Sequence, residues 1–176
     1  MLREALKLSH VPRWGIIDKF KEQSVADHSY RVAIIAMELG EWLEEKGVKQ
    51  LDWVRLYKEA LLHDLHEHRS GDIPSNFKAH LRERVGLSMY RRLFPSVFTD
   101  HAYESAVVKI ADLVESITWI ERYGVKPKFV KQFLAPVLNA AVKDLKELTI
   151  TNHQLNLGPF LVAKVREMVV EGCNYD

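Results

Sequence analysis

Four side chains spread along the chain are good ligands for one divalent ion: His28, the adjacent His63 and Asp64, and Asp112. Imidazole nitrogen and carboxylate oxygen together suit a borderline transition metal such as Zn, Co, Mn or Fe, and the single cysteine, Cys173, cannot build a sulfur site. Consecutive helical residues project about 100° apart, so His63 and Asp64 do not share a face, yet both reach an ion lodged in a groove between neighbouring helices. Taken alone, such a pair near a helix end also serves as a solvated or capping group. Glu67 strengthens the chemical reading. It follows His63 by four residues and shares its face if the helix persists, where a carboxylate can move a proton to or from water at the ion. Asp112 lies in Ile110-Ala111-Asp112-Leu113-Val114, an apolar setting in which an unpaired carboxylate is costly. It needs a cation, either the metal or a neighbouring base such as Lys109.

Three helices must bring these groups together. Apolar residues recur at three and four positions almost throughout, with no sustained alternation, which predicts an all-α fold. A first short helix ends near Ser9 and His10, because Pro12 disfavours helical geometry at Val11 and opens a loop through about Glu22. Ser24-Val25-Ala26-Asp27 has capping-box spacing, with Asp in place of the usual Glu. It opens a helix whose inward stripe is Val32, Ile35, Ala36, Leu39, Trp42 and Leu43 and which ends before Gly47. A third helix from about Asp52 carries Val54, Tyr57, Leu61 and Leu62 into the His63-Asp64 pair. Gly71-Asp72-Ile73-Pro74-Ser75 breaks the pattern as a loop. Short helices around Asn76 to Val85 and Leu87 to Phe94 precede a long one from Thr99 to Tyr123, stopped by Gly124. Two more, about Pro127 to Leu148 and Asn152 to Glu171, complete a bundle, with Pro136 kinking or bounding the first.

Length and charge agree with an enzyme-sized pocket protein. A chain of 176 residues is predicted to form one domain around one core. With 25 basic against 24 acidic residues the net charge is +1, which argues against a binder of nucleic-acid polymers and confines any phosphate chemistry to a local pocket. A lone cysteine implies no intrachain disulfide and an intracellular setting. The charged N-terminus lacks the apolar core of a signal peptide, and the longest uninterrupted apolar run is Val32 to Met37, so neither export nor membrane spanning is expected.

The order His28, His63-Asp64, Asp112 resembles the H…HD…D signature of the HD-domain metal-dependent phosphohydrolases. Arg13-Trp14, Gln23-Ser24-Val25-Ala26-Asp27-His28-Ser29, His63-Asp64-Leu65-His66-Glu67 and Gly71-Asp72-Ile73-Pro74 look like the deoxynucleotide-directed branch. That branch includes bacterial 5′-deoxynucleotidases and compact phage deoxyadenosine triphosphate triphosphohydrolases. The resemblance spans roughly Val11 to Glu115; beyond about residue 125 nothing diagnostic is found.

The resemblance implies an HD-domain helical bundle in which His28, His63, Asp64 and Asp112 hold one divalent transition metal (Zn, Co or Mn) with positions left for water and a phosphoryl oxygen. Glu67 would handle the proton, and Arg13, Lys78 and Lys109 would offset the charge of a substrate phosphate, although basic residues are mostly solvated surface. Trp14 would wall the sugar and exclude a ribose 2′-hydroxyl; the competing reading is a core tryptophan stapling its loop onto the bundle. Ile16 would line the base pocket. Asp72 would anchor Arg13, a water or the sugar, or else cap the following helix. His66, His68 and His101 do not match a two-metal pattern, so one ion is expected. The reaction expected is hydrolysis at the 5′ phosphate of a deoxynucleotide, foremost dATP to deoxyadenosine and triphosphate, with a dNMP-directed 5′-deoxynucleotidase as the close alternative. A homo-oligomer and a cytoplasmic location, the host's if the gene is phage-borne, are implied in the same way. A reading of another class is a non-catalytic metal-binding or oligomerisation module. The complete ligand set beside Glu67 argues against it, since a structural site closes all its positions and needs no adjacent acid.

Overall fold

The computed structural model describes residues 1–93 and 103–174. Helices α1 (Leu2–Lys7), α2 (Val25–Glu45), α3 (Trp53–Leu62), α4 (Glu67–Ser70), α5 (Ser75–Leu93), α6 (Tyr103–Tyr123), α7 (Pro127–His153) and α8 (Gly158–Asn174) follow in order, with a 3₁₀ turn at Leu8–His10 after α1. Among the described residues there is no strand, only isolated bridges between Pro12 and Ser24 and between Lys19 and Gly124. None of the described helices is long and apolar enough to cross a membrane.

Helix α6 is the axis of the bundle. It packs against α2, α3, α7 and α8, and Val107, Ile110, Ala111, Val114, Ile117 and Ile120 are buried along it. A helix buried along most of its surface, with Glu104, Glu115 and Ser116 among its buried residues, belongs inside other helices. Ala36, Leu39 and Leu43 of α2, Leu56 and Ala60 of α3, Leu145 of α7 and Leu161 of α8 complete the core around it.

Local signals explain the start and stop of α2. The Ser24 side chain accepts from the Asp27 N–H while Asp27 accepts from the Ser24 N–H, a reciprocal capping box. The exit is closed by Gly47 at φ +97°, a left-handed conformation that suits glycine. Of the stripe expected on α2, Val32, Ala36, Leu39 and Leu43 are buried and Ile35 and Trp42 pack on them from the margin.

Three expectations need correction. On α3 the inward residues are Leu56, Glu59 and Ala60, while Val54 is 78% and Leu61 45% exposed; the helix is rotated toward α6 on a face that includes a buried acid. Asn152 does not begin the last helix: α7 runs to His153 and ends on Gln154 at φ +55°, whose N–H reaches back to the Ile150 carbonyl. Pro136 lies inside α7, which continues past it. The two short helices expected around Gly86 are present as α5, broken at Gly86 (φ 76°, ψ 158°). Thr99 to Ala102, including His101, and Phe94 lie outside the described residues.

Candidate metal centre

The four expected ligands converge from three elements. His28 projects from the first turn of α2, His63 caps the C-terminal end of α3, Asp64 follows in the turn, and Asp112 stands midway along α6. His28 Nε2 lies 3.2 Å from His63 Nε2, 3.3 Å from Asp112 Oδ1 and 3.8 Å from Asp64 Oδ2. His63 Nε2 lies 3.2 Å from Asp64 Oδ2.

Hydrogen bonding on the far side of each imidazole decides what faces inward. His63 Nδ1 is 2.9 Å from the Ala60 carbonyl, which only accepts, so Nδ1 carries the proton and Nε2 presents a lone pair. His28 Nδ1 is 2.6 Å from Glu115 Oε2, and donation to that carboxylate leaves its Nε2 likewise bare. With both rings neutral, two lone pairs and two carboxylate oxygens would therefore face one point. Such an arrangement is electrostatically unfavourable without a cation, and its N₂O₂ donor set fits a borderline divalent metal.

The electrostatics carry the same signature. Burial disfavours the imidazolium of His63, but Asp64 and Asp112 beside it outweigh burial and raise its pKa to about 9. Burial opposes ionisation of Asp64 and Asp112 too, yet the histidines, with Lys109 for Asp112, hold both carboxyls well below the usual range. Lys109 Nζ sits 2.8 Å from Asp112 Oδ2, so the neighbouring base expected of this apolar setting is in place on one oxygen, while the other, Oδ1, faces His28 Nε2 at 3.3 Å.

Glu67 reaches the centre by another route than expected. α3 stops at Leu62, and tight turns through residues 63–66 lead into α4, where the Glu67 N–H donates to the Asp64 carbonyl at 2.9 Å. The carboxyl is 1% exposed, and one oxygen takes a 2.7 Å hydrogen bond from Lys78 Nζ of α5. The other, Oε2, is buried and has no hydrogen-bond partner among the described residues. An orphaned buried oxygen at that place fits a partner from outside the chain. Burial, reinforced by Asp64 and Asp72 against the pull of Lys78, raises the Glu67 pKa to about 8.

The remaining expected residues divide. Lys78 and Lys109 stand at the centre, each held on an acid. Arg13 does not point outward: it is 8% exposed and lies 3.3 Å from Glu115 Oε2. Trp14 takes φ +62° and stacks on Trp119 at 5.7 Å and 8°. Its backbone N–H donates to Asp72 Oδ2 at 2.9 Å and its indole N–H to Gln23 Oε1 at 2.9 Å. Asp72 thus anchors the loop at Trp14, one residue from Arg13, which was one of the partners expected for it. Ile16 is 76% exposed on the same loop.

His66 is half-buried with ligand atoms near Asp64 and Glu67. His68 instead meets the Leu65 carbonyl and Glu4. Sequence reasoning missed Glu115. It stands one turn after Asp112 in Val114-Glu115-Ser116-Ile117, and the cost of an unpaired carboxylate in an apolar run would have singled it out.

Comparison with known proteins finds likeness in sequence and in fold. Residues 2–86 match the family described as 5′-deoxynucleotidase YfbR-like. The dATP triphosphohydrolase of Salmonella phage PMBT28 is 28% identical over 131 residues, which are 69% of this chain and 66% of that protein, so the chain spans just under two thirds of its length. The 5′-deoxynucleotidase YfbR of Salmonella paratyphi B is 25% identical over 164 residues, 92% of this chain and 79% of that one. In fold, the chain resembles the HD phosphohydrolase DatZ of cyanophage S-2L, solved with dA and one catalytic Zn2+ ion, at a TM-score of 0.74 and 21% identity over 97% of both chains. With its helical bundle and its H…HD…D residues gathered at one point, the chain is similar to the YfbR-like HD phosphohydrolases.

Proposed function

We propose that the protein hydrolyses deoxynucleotides at the 5′ phosphate, with one divalent transition metal, Zn, Co or Mn, held by His28, His63, Asp64 and Asp112. The observation that carries this reading is the meeting of two imidazole Nε2 atoms with two carboxylates, beside a buried acid whose second oxygen has no partner among the described residues. When bound, the ion supplies Lewis-acid polarisation of a phosphoryl oxygen and lowers the pKa of water.

The chain's own residues do the rest. Water attacks the phosphorus bonded to the 5′ oxygen, the P–O5′ bond breaks, and the deoxynucleoside leaves with a proton on that oxygen. Glu67 is the group assigned to that proton, taking it from the water or giving it to the leaving oxygen, because its pKa of about 8 lies near neutral pH. Lys78 holds Glu67 in place and, with Lys109, offsets phosphate charge. Asp72 and Trp14 shape the loop that closes over the sugar.

The preferred substrate is dATP, yielding deoxyadenosine and triphosphate, which the phage relative's name supports. A 5′-deoxynucleotidase acting on dNMPs is the second reading, supported by the bacterial relative that matches more of the chain. Both reactions attack the same phosphorus. The reading includes a homo-oligomer and a cytoplasmic place of action, as in the resemblance that suggested them. Product analysis with each deoxynucleoside mono-, di- and triphosphate and the ribonucleotides tests the proposal. Triphosphate from dATP supports the first reading and orthophosphate from dNMPs the second. No turnover of any of them by the metal-loaded chain overturns both in favour of a non-catalytic module.

A further inference from the structure

The far side of His28 leads away from the centre through an unbroken series of hydrogen bonds whose directions are all determined. An indole N–H only donates, so Trp14 Nε1 donates to Gln23 Oε1 at 2.9 Å. That fixes the Gln23 amide, whose nitrogen must then donate to Glu115 Oε1 at 2.6 Å. Arg13 Nη1, another pure donor, approaches Glu115 Oε2 at 3.3 Å, and the same oxygen lies 2.6 Å from His28 Nδ1. Glu115 and Gln23 are almost wholly buried and His28 wholly so, so no solvent competes for these bonds. An acceptor-only carboxylate surrounded by three donors leaves His28 one role: Nδ1 carries the proton.

We propose that Glu115 is a positioning residue that joins the 11–24 loop to the metal centre, fixing His28 in the Nδ1–H form and transmitting the placement of Arg13, Trp14 and Gln23 to its Nε2 lone pair. Free histidine in its neutral form prefers the opposite tautomer, with the proton on Nε2, where it would block an ion. Among the described residues the side-chain tie from the loop to the His28 ring is this one; the Ser24 carbonyl also accepts the His28 backbone N–H at 3.1 Å, which holds the main chain and not the ring. Arg13 and Gln23 meet His28 only through Glu115, and the loop is further held by the Arg13 N–H donating to the Gln23 carbonyl and the Trp14 N–H donating to Asp72. Occupation of the centre and order in the loop are therefore reciprocally linked, as any two events sharing one network must be. A carboxylate behind a ligating imidazole commonly contributes about 10–100-fold in metal affinity.

This rests on the metal reading of the centre, and the experiment separates the two. The full chain, Glu115→Gln and Arg13→Met are titrated with Co2+ by calorimetry and visible absorption, and amide exchange of residues 11–24 is compared with and without Co2+. The His28 Nδ1–H proton resonance is recorded for the metal-free chain. Expected are a downfield Nδ1–H resonance lost in Glu115→Gln, a Co2+ affinity about 10–100-fold lower in that variant, and Co2+-dependent protection of the loop in the unsubstituted chain. Arg13→Met, which leaves the Glu115–His28 bond in place, should keep most of the Co2+ affinity yet lose the protection, and it serves if Glu115→Gln does not fold. Unchanged Co2+ affinity in Glu115→Gln, or unchanged loop protection in Arg13→Met, overturns the proposal. Failure of the unsubstituted chain to bind Co2+ overturns the metal reading instead, and an absent Nδ1–H signal overturns the tautomer assignment on its own.

Discussion

His28 and His63 turn their Nε2 atoms toward each other at 3.2 Å, with Asp64 and Asp112 oxygens flanking the gap. Two neutral imidazoles in that posture repel, so in the metal-free chain a proton must take the cation's place. The pKa of about 9 at His63, where the acids outweigh burial, places the proton there.

Metal binding should accordingly release that proton. Between pH 6.5 and 9 the affinity for Zn2+ or Co2+ is expected to rise by about tenfold per pH unit and to level off above 9. Calorimetry in buffers of different ionisation enthalpy would count the proton; a pH-independent affinity would contradict the assignment. The sign for folding is the reverse. A histidine pKa raised on folding stabilises the metal-free chain fully below its unfolded value near 6.5, and that contribution is lost as pH rises through about 9. Thermal melts of metal-free protein across this window should show it.

Glu67 is tied to Lys78 at 2.7 Å, and the lysine's charge partly offsets the burial that raises the Glu67 pKa. Glu67→Gln should lower kcat by about 10²–10⁴-fold and leave metal affinity near that of the unsubstituted chain. Lys78→Met should shift the limb of the pH–rate profile that Glu67 governs to higher pH, since the lysine opposes protonated Glu67. A profile that stays in place would remove Glu67 from proton transfer.

Trp14 is stacked on Trp119 and bonded through both its nitrogens, so it staples its loop to the bundle, and the proposed sugar wall would rest on that same placement. Trp14→Ala is expected to destabilise the chain by at least the ~0.5–1.5 kcal/mol that aromatic stacking adds to area burial, and to admit ribonucleotides. Trp119→Leu removes the stacking partner without opening the loop surface. Equal loss of discrimination in both variants would assign the selectivity to loop position; loss in Trp14→Ala alone would assign it to the indole itself.

What was legible in the sequence depended on how local each signal was. The Ser24–Asp27 capping box, the stop at Gly47 and the break at Gly86 are written within a few residues and recur in the structure. The convergence of His28, His63, Asp64 and Asp112 was legible from their residue types in the order of a known signature, and for Asp112 also from its apolar neighbours. Arg13 was assigned to phosphate by type, yet its partner Glu115 lies on α6, and no local pattern reports a pairing between distant elements. The face of α3 was misjudged for a similar reason. Val54 and Leu61 are as apolar as Leu56 and Ala60, and only packing on α6 decides which pair turns inward. At the α7 end, Gln154 closes the helix in a left-handed conformation usually left to Gly or Asn, so the stop carried no recognisable residue.

Gly124 joins the bundle axis to the functional loop, and its substitution should affect both. It follows α6 directly, donates to the Ile120 carbonyl at 2.9 Å and pairs with Lys19 in an isolated bridge. On either side the Phe20 N–H donates to the Tyr123 carbonyl at 2.8 Å and the Val125 N–H to the Asp18 carbonyl at 3.0 Å, which clamps the loop against the end of α6. A Cβ at residue 124 would lie 2.6 Å from the Ile120 carbonyl oxygen and 3.0 Å from two Ile120 side-chain carbons. A backbone oxygen at the helix end cannot yield as a side chain would, so Gly124→Ala is expected to cost about 1–3 kcal/mol. The loop should loosen with it. Amide exchange at Phe20 and Val125 should accelerate more than at Val107 or Ile110 in the core of α6, where the added methyl has no contact. Uniform acceleration across α6 would mean that Gly124 acts on global stability alone; no change in melting temperature would show that the clamp absorbs the methyl.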